Sequence, residues 1–452
     1  MIPSFNVQQK NIAYAASPAE RIAILDSLRG IALLGILLVN IQFFGLPELQ
    51  VFDVSVKQES GLNFFTWYVF GTGVLEGTMR AIFSMLFGAG VILFISRLEE
   101  KKKGLIPVAF FFRRQFWLLL FGLFDAYILL WYGDVLFMYA ICGLFLFPFR
   151  KLPAKYLFAI TAICLLLTTA RENLELYKEK AAIKKGQQLA SIDTAKSKLS
   201  AGQVRALADF NNYRTGYTHE EKLRIIQEQE TEVLGSYRQM FHSRRTLSGQ
   251  REGLYYYAIW DILLFMFLGM AFFKTGVLQG ETSVKTYAWM AICGLCIGLP
   301  LSYFYLQPQL YYQHNYFEIA IHKRFEFYEL QRFVRSIGIF GLIMLIYKSG
   351  WLKRIFEITR PVGQMAFTNY LGQSLLCGLF FYGAGLGMFG KLQRYELYYV
   401  VAVLWVFQVF VSYLWLKYFY YGPAEWLWRC LTYGRKQPFR KAYPNMSSSS
   451  SG

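Results

Sequence analysis

About ten nearly unbroken apolar stretches, most of them near the length a helix needs to cross a hydrocarbon core of roughly 30 Å, govern what this chain can fold into. They fall near residues 30–46, 78–96, 108–130, 133–149, 156–170, 254–273, 287–306, 333–348, 364–386 and 398–417. No water inside a bilayer satisfies backbone N–H and C=O groups, so each stretch is expected to be helical despite its many β-branched and aromatic residues. Charged residues make up only 17% of the 452, against nearer a quarter in a soluble domain. The expected fold is all-α: a polytopic transmembrane bundle of about ten spans. The stretches 108–130 and 133–149, parted by Trp131-Tyr132, read as a tight helical hairpin. Phe64–Phe70 reads as a short interfacial or re-entrant helix before the second span.

Lysine and arginine give the direction. With the N-terminus inside, the short flanks on that side hold 24 of these residues and those on the other side hold 7. The bias follows the positive-inside rule through every span, so both termini are expected in the cytoplasm and the chain in a bacterial cytoplasmic (inner) membrane. The same bias accounts for the net charge of +18, which therefore does not mark a nucleic-acid binder. Met1–Glu20 is polar, so the first apolar run reads as an uncleaved anchor.

Residues 171–252 interrupt the pattern. They are rich in Lys, Glu, Gln and Ala, with 15 basic and 11 acidic residues, and read as an extramembrane helical insert on the outer side. The chain thus divides into an N-terminal transmembrane domain (1–170, about five spans), the insert (171–252), a C-terminal transmembrane domain (253–440, about five spans) and a low-complexity tail (441–452). The six cysteines lie in or beside apolar runs, which is no secreted disulfide framework. The four histidines fall in predicted outer loops without a metal-binding spacing.

Polar groups inside apolar runs are costly and therefore informative. Asp26 and Arg29, at i,i+3, pair at the inner mouth of the first span, and Asn40 lies deeper in it. Glu76 and Arg80, at i,i+4, begin the second span. Asp125 lies inside the third and Asp134 opens the fourth. Asp261 sits in "YAIWDILLFMFLGM" without a local cation. Both Asp125 and Asp261 are expected to face the interior and meet Arg113, Arg114, Arg335 or water. Asn369, Gln373 and Gln408 read as interhelical glue. Trp131, Tyr132, Trp426 and Trp428 read as interfacial belts. Arg113-Arg114 reads either as an inner anchor or as a site for donor phosphates, which guanidinium forks match.

The segments "LDSLRGIALLGILLVNI", "MRAIFSMLFGAGVILF", "WYGDVLFMYAICGLFL" and "RPVGQMAFTNYLGQSLL", with "GPAEWLWRCLTYG" near the end, resemble the YeiB-like membrane proteins that carry a DUF418 domain. The resemblance covers most of the chain outside 171–252. That family is grouped with heparan-α-glucosaminide N-acetyltransferase-like and acyltransferase-3 membrane proteins, which implies acyl transfer at the membrane. Asp26, Arg29 and Gly30 match the Asp-x-x-Arg-Gly start of the acyltransferase-3 signature. Asn40 stands where its histidine would be, and an amide cannot replace imidazole as a general base. Asp125 stands before the "GD" turn, where many relatives carry histidine.

The resemblance implies acyl-group transfer to an envelope glycan or lipid, with acyl-coenzyme A as donor substrate and membrane lipid as partner. Arg29, Arg113 and Arg114 would hold the donor; Asp125, Asp261 and Asn40 are the catalytic candidates. Asp26, Glu76, Arg80, Asp134, Asn369 and Gln373 would form a structural polar network. The alternatives are a proton-coupled transporter or exporter and a non-catalytic membrane scaffold.

Overall fold

The computed structural model describes residues 22–101, 104–192, 199–215, 218–242 and 252–441, with the backbone alone over 252–258. The polar leader and the serine-rich tail lie outside the described residues. In chain order the helices are α1 (Ala23–Gly45), α2 (Glu48–Phe52), α3 (Leu62–Thr66), α4 (Thr78–Lys101), α5 (Ile106–Tyr127), α6 (Leu136–Leu146), α7 (Ala154–Ala190), α8 (Ala201–Thr215) and α9 (His219–Val233). Then come α10 (Glu252–Lys274), α11 (Val284–Tyr311), α12 (Tyr316–His322), α13 (Tyr328–Ser349), α14 (Lys353–Gln364), α15 (Ala366–Phe381), α16 (Leu397–Tyr418) and α17 (Pro423–Tyr433). Among the described residues there is no strand, only an isolated antiparallel bridge between Phe419 and Arg440. The fold is all-α.

Among the described residues seven helices, α1, α4, α5, α7, α11, α13 and α16, are long and apolar enough to cross a membrane. Of the other three expected spans, two coincide with shorter pieces and the third with α10, of 23 residues. α6 has 11 residues and is continued by a 3₁₀ turn over Phe147–Lys151; α15 has 16; the described side chains of α10 begin at Ile259.

The expected hairpin is looser than two residues. α5 stops at Tyr127 and α6 starts at Leu136, because Trp131 is drawn into the bundle and stacks on Phe44 at 3.9 Å. Asp134 then caps α6, accepting from the backbone N–H groups of Leu136 at 3.1 Å and Phe137 at 3.0 Å. Phe64–Phe70 is helical, formed by α3 and a π-helical turn over Trp67–Thr72.

Small residues bring the helices together. Gly30 of α1 and Gly363 of α14 lie so close that a Cβ on either would meet the other helix's backbone, at Thr359 and Asp26 respectively. Gly294 of α11 and Gly338 of α13 meet in the same way. Where lipid is as apolar as any side chain, such close backbone packing is what holds helices to each other. α1 sits centrally, against α4, α14, α15 and α16. α16 lies at the rim, with Tyr399, Val403, Val406 and Phe410 all exposed.

α7 runs unbroken for 37 residues, from its apolar start into the polar insert. α8 packs on its far part through Ile183 and Phe210, joined by Phe317 and Ala320 of α12. α9 is fastened by a buried cluster. Lys222 Nζ donates to Asp53 Oδ2 at 2.7 Å and to the Gln313 carbonyl at 3.0 Å, while His314 Nδ1 lies 3.2 Å from Asp53 Oδ1. Burial alone would raise the Asp53 pKa, but the hydrogen bond and charge of His314, with Lys222 and Ser55, hold it well below the usual carboxylate range. Gln313 and His314 both adopt left-handed backbone, at φ 48° and 54°. The cluster therefore holds a turn that non-glycine residues rarely adopt.

Candidate functional site

The α1–α14 contact places Asp26 and Arg29 at one end of the bundle, with Arg29 Nη1 donating to Asp26 Oδ1 at 2.9 Å. α4 ends, α5 begins and α17 lies at this same basic end. Between them opens a cavity of about 280 Å³. Five cations line it, Arg29, Arg97, Lys101, Arg114 and Arg429, against two carboxyl groups, Asp26 and Glu425. Both acids are engaged. Glu425 accepts from the Phe367 and Thr368 backbone N–H groups at 2.7 and 3.1 Å and from the Thr368 hydroxyl, which caps α15. The lining thus keeps an excess of positive charge.

Arg114 is held by stacking. Its guanidinium lies 3.8 Å from the Trp428 ring centroid and 4.8 Å from that of Phe94. Trp428 Nε1 donates to the Arg114 carbonyl at 2.9 Å, tying α17 to α5. Below this rim the walls are apolar, formed by Phe83, Leu86, Phe87, Val91, Phe111 and Leu118 among others. Along α4 the lining runs from Lys101 to Phe83, about 27 Å at 1.5 Å per residue. That is most of a bilayer's hydrocarbon thickness.

Tyr139 and Tyr370 stand at the deep end. The Tyr139 hydroxyl is 2.6 Å from Ser84 Oγ and donates to the Arg80 carbonyl at 3.3 Å. The Tyr370 hydroxyl accepts from the Val135 N–H at 3.2 Å and donates to Asp134 Oδ1 at 3.4 Å. Behind Tyr370 lies Asp125, whose polar neighbours are the Asp134 carboxyl and the Ser374 hydroxyl. Behind Tyr139 lies an ionic cluster. Arg80 Nη2 donates to Asp261 Oδ2 at 2.8 Å, and Arg332 pairs with both Asp261 and Glu329, the latter at 2.7 Å. Arg335, with no exposed surface, donates to the carbonyls of Gly73 and Glu76 at 2.6 and 2.7 Å and to Ser302 Oγ at 2.7 Å. Tyr328 donates to Glu76 Oε1 at 2.7 Å. One polar rim, one apolar shaft and, beyond a tyrosine floor, a carboxyl pair and an ionic cluster make up the arrangement.

The structure thus brings Asp26, Arg29 and Arg114 to the cavity and sets Asp125, Asp134, Arg80 and Asp261 behind its floor. The partners of Asp261 are Arg80 and Arg332, not Arg113, Arg114 or Arg335, because α10 crosses α4 and α13 far from the basic end. Asn40 is half-buried and lies outside the cavity lining. Arg113 points away, into a groove against α17. Asn369 donates to Ser412 Oγ at 2.9 Å and Gln373 to Gln408 Oε1 at 3.0 Å, linking α15 to α16. Trp131 and Trp428 are buried rather than lying in an interfacial belt, one stacked on Phe44 and the other under Arg114. Sequence reasoning missed Tyr139, Tyr370, Arg97, Arg429 and Arg332. The spacing Glu329, Arg332, Arg335 on one face of an apolar helix was the available signal for the last of these.

Residues 272–435 match the family described as "Protein of unknown function (DUF418)". The "Uncharacterized protein YxaH" of Bacillus subtilis is 29% identical over 428 residues, covering 93% of this chain and 96% of the relative. The "Uncharacterized protein YeiB" of Escherichia coli is 26% identical over 439 residues, covering 95% of this chain and all of the relative. The chain is thus similar over nearly its whole length to YxaH and YeiB, and its C-terminal part carries the DUF418 match. No solved structure matches it. The matched region starts within α10 and ends just past α17. It therefore supplies Tyr370, Glu425, Trp428 and Arg429 to the cavity, while Asp26, Arg29, Arg114 and Tyr139 come from outside it.

Proposed function

We propose that this protein is a membrane-embedded acyltransferase that receives an acyl donor with a phosphorylated head from the cytoplasm and passes the acyl group to an acceptor of the cell envelope. The observation that carries this reading is the cavity: a cation-rich rim above a long apolar shaft suits an amphiphile with an anionic head and an acyl tail. The lysine and arginine bias supports a rim at the cytoplasmic face of a bacterial inner membrane. Acyl-coenzyme A has the required chemistry. Its phosphates would meet Arg29, Arg114 and Arg429, and its thioester would lie down the shaft.

The acceptor is an envelope glycan or lipid bearing a hydroxyl or amine. In the transfer its oxygen or nitrogen forms a bond to the thioester carbonyl carbon, the carbon–sulfur bond breaks, and coenzyme A leaves as thiolate. The acceptor proton passes to the Tyr370–Asp134 pair and from there to the thiolate. Asp134 takes this role in place of Asn40 and Asp261 because it touches a residue of the cavity floor, whereas Asn40 carries an amide and lies outside the lining and Asp261 is held by two arginines.

A transporter is the second reading, favoured by one feature: Asp125 and Asp134 face each other within the bundle with no cation beside them among the described residues, and embedded acids of this kind often mark proton relays. The test is saturable binding of radiolabelled acyl-coenzyme A to the detergent-purified protein. Arg114→Ala and Arg429→Ala should each weaken binding about tenfold, the loss of roughly one charge-assisted contact. Absence of saturable binding to the wild type refutes the donor site. Proton-driven solute uptake in proteoliposomes that is lost in Asp125→Asn supports the transporter instead.

A further inference from the structure

Arg113 and Arg114 are neighbours in sequence, but a helix turns about 100° per residue, so they serve different surfaces. Arg114 lines the cavity; Arg113 lines a shallow groove of about 360 Å³ between α5 and α17. The groove is formed by Arg113, Trp117, Trp426, Leu431, Arg435 and Lys436, with Cys430 and Gly434 at its edge, and has no carboxyl group in its lining. Gly434 ends α17 in the left-handed conformation, φ 67°, which turns Arg435 and Lys436 back beside Arg113. A Cβ there would come within 3.0 Å of the Arg113 guanidinium, so glycine lets the guanidinium lie against the cap. Trp426 is fixed by its Nε1 donating to the Gln437 carbonyl at 2.9 Å. Neither Arg113 nor Lys436 forms an ion pair among the described residues.

A second observation shows what kind of anion fits. Phe116, Leu120 and Phe124 continue from Arg113 along the same side of α5 and are all exposed, at 55%, 36% and 44%. A cationic groove flanked by tryptophans, opening directly onto an exposed apolar stripe, has the two halves of a phospholipid site. A soluble phosphate would have no use for the stripe.

We propose that the α5–α17 groove binds an anionic phospholipid of the surrounding leaflet. Its phosphate lies over Arg113 and Lys436, and one acyl chain runs along Phe116, Leu120 and Phe124. Basic pockets between helices at the positive end of membrane proteins take such head groups. The site is independent of the donor cavity and of what the protein catalyses.

Native mass spectrometry of the detergent-purified full chain tests it, with phosphatidylglycerol and phosphatidylcholine of identical acyl chains as probes. Wild type should retain phosphatidylglycerol at least about fivefold better than phosphatidylcholine, and Arg113→Gln and Lys436→Gln should each abolish most of that preference. Lys348→Gln, at the same end but outside the groove, should keep it. Lys436 is exposed on a turn, so its variant reports even if Arg113→Gln does not fold. Equal retention of the two lipids, unchanged preference in Lys436→Gln, or full displacement by millimolar inorganic phosphate overturns the proposal.

Discussion

Replacing Lys222 by methionine probes how the insert is held. The change keeps a long apolar stem and removes the ammonium that donates to Asp53 at 2.7 Å and to the Gln313 carbonyl at 3.0 Å. Asp53 has no exposed surface, so it cannot recover water. Breaking a buried pair by deleting one partner costs about 3–5 kcal/mol. His314 stays 3.2 Å from Asp53 and covers part of the lost charge, which places the expected cost near the lower limit, about 3 kcal/mol. At 1.4 kcal/mol per tenfold, the opening equilibrium of α9 should rise on the order of 100-fold. Amide hydrogen exchange over 219–233 measures this directly, with the amides of α4 as the internal reference. The double variant Asp53→Asn/Lys222→Met removes both charges and should recover much of the protection, since what costs most is the orphaned carboxylate. Exchange in α9 that is unchanged by Lys222→Met, or a double variant as open as the single, would refute the reasoning.

The pH response follows from the same group. The Asp53 pKa is depressed in the folded state, so its stabilisation is fully present above the ordinary value of 3.8 and is lost as pH falls further; α9 protection should drop below about pH 4, and Asp53→Asn should flatten that drop. Gly363→Ala pushes a methyl group into the Asp26 carbonyl and should lower stability by about 1–3 kcal/mol, seen as a lower melting temperature in detergent. Arg335→Lys should not restore what Arg335→Met loses, because the three acceptors at Gly73, Glu76 and Ser302 need a planar fork; melting temperatures of the two variants compare them. Gln373→Leu should cost only about 0.6 kcal/mol in the same assay, because the α15–α16 contact keeps its Asn369–Ser412 bond.

The helical character of the chain was legible because a bilayer allows few alternatives to long apolar helices. The count of crossings was less so. α6 and α15 are too short by themselves, and loops such as 128–135 fold back through single buried aromatic residues that periodicity does not reveal. Among the site residues, Asp26 and Arg29 could be paired from their spacing alone. The partners of Asp261 could not: Arg80 and Arg332 stand 181 and 71 positions away, and only the crossing of three helices joins them. Arg113 and Arg114 looked like one feature because sequence adjacency hides the helical turn between them. Tyr139 and Tyr370 resembled ordinary aromatic residues of apolar segments until the cavity ended on them.

The unbroken length of α7 has a mechanical consequence. At 1.5 Å per residue its 37 residues measure about 55 Å, so roughly 25 Å stands clear of a 30 Å hydrocarbon core. A rod of that length has no hinge at the membrane surface. A tilt of about 10°, modest beside the range that spanning helices adopt, swings its tip by about 10 Å. Small rotations among the buried helices are therefore delivered as large displacements at the distant helical cap, and a pull on that cap is returned as torque on the bundle.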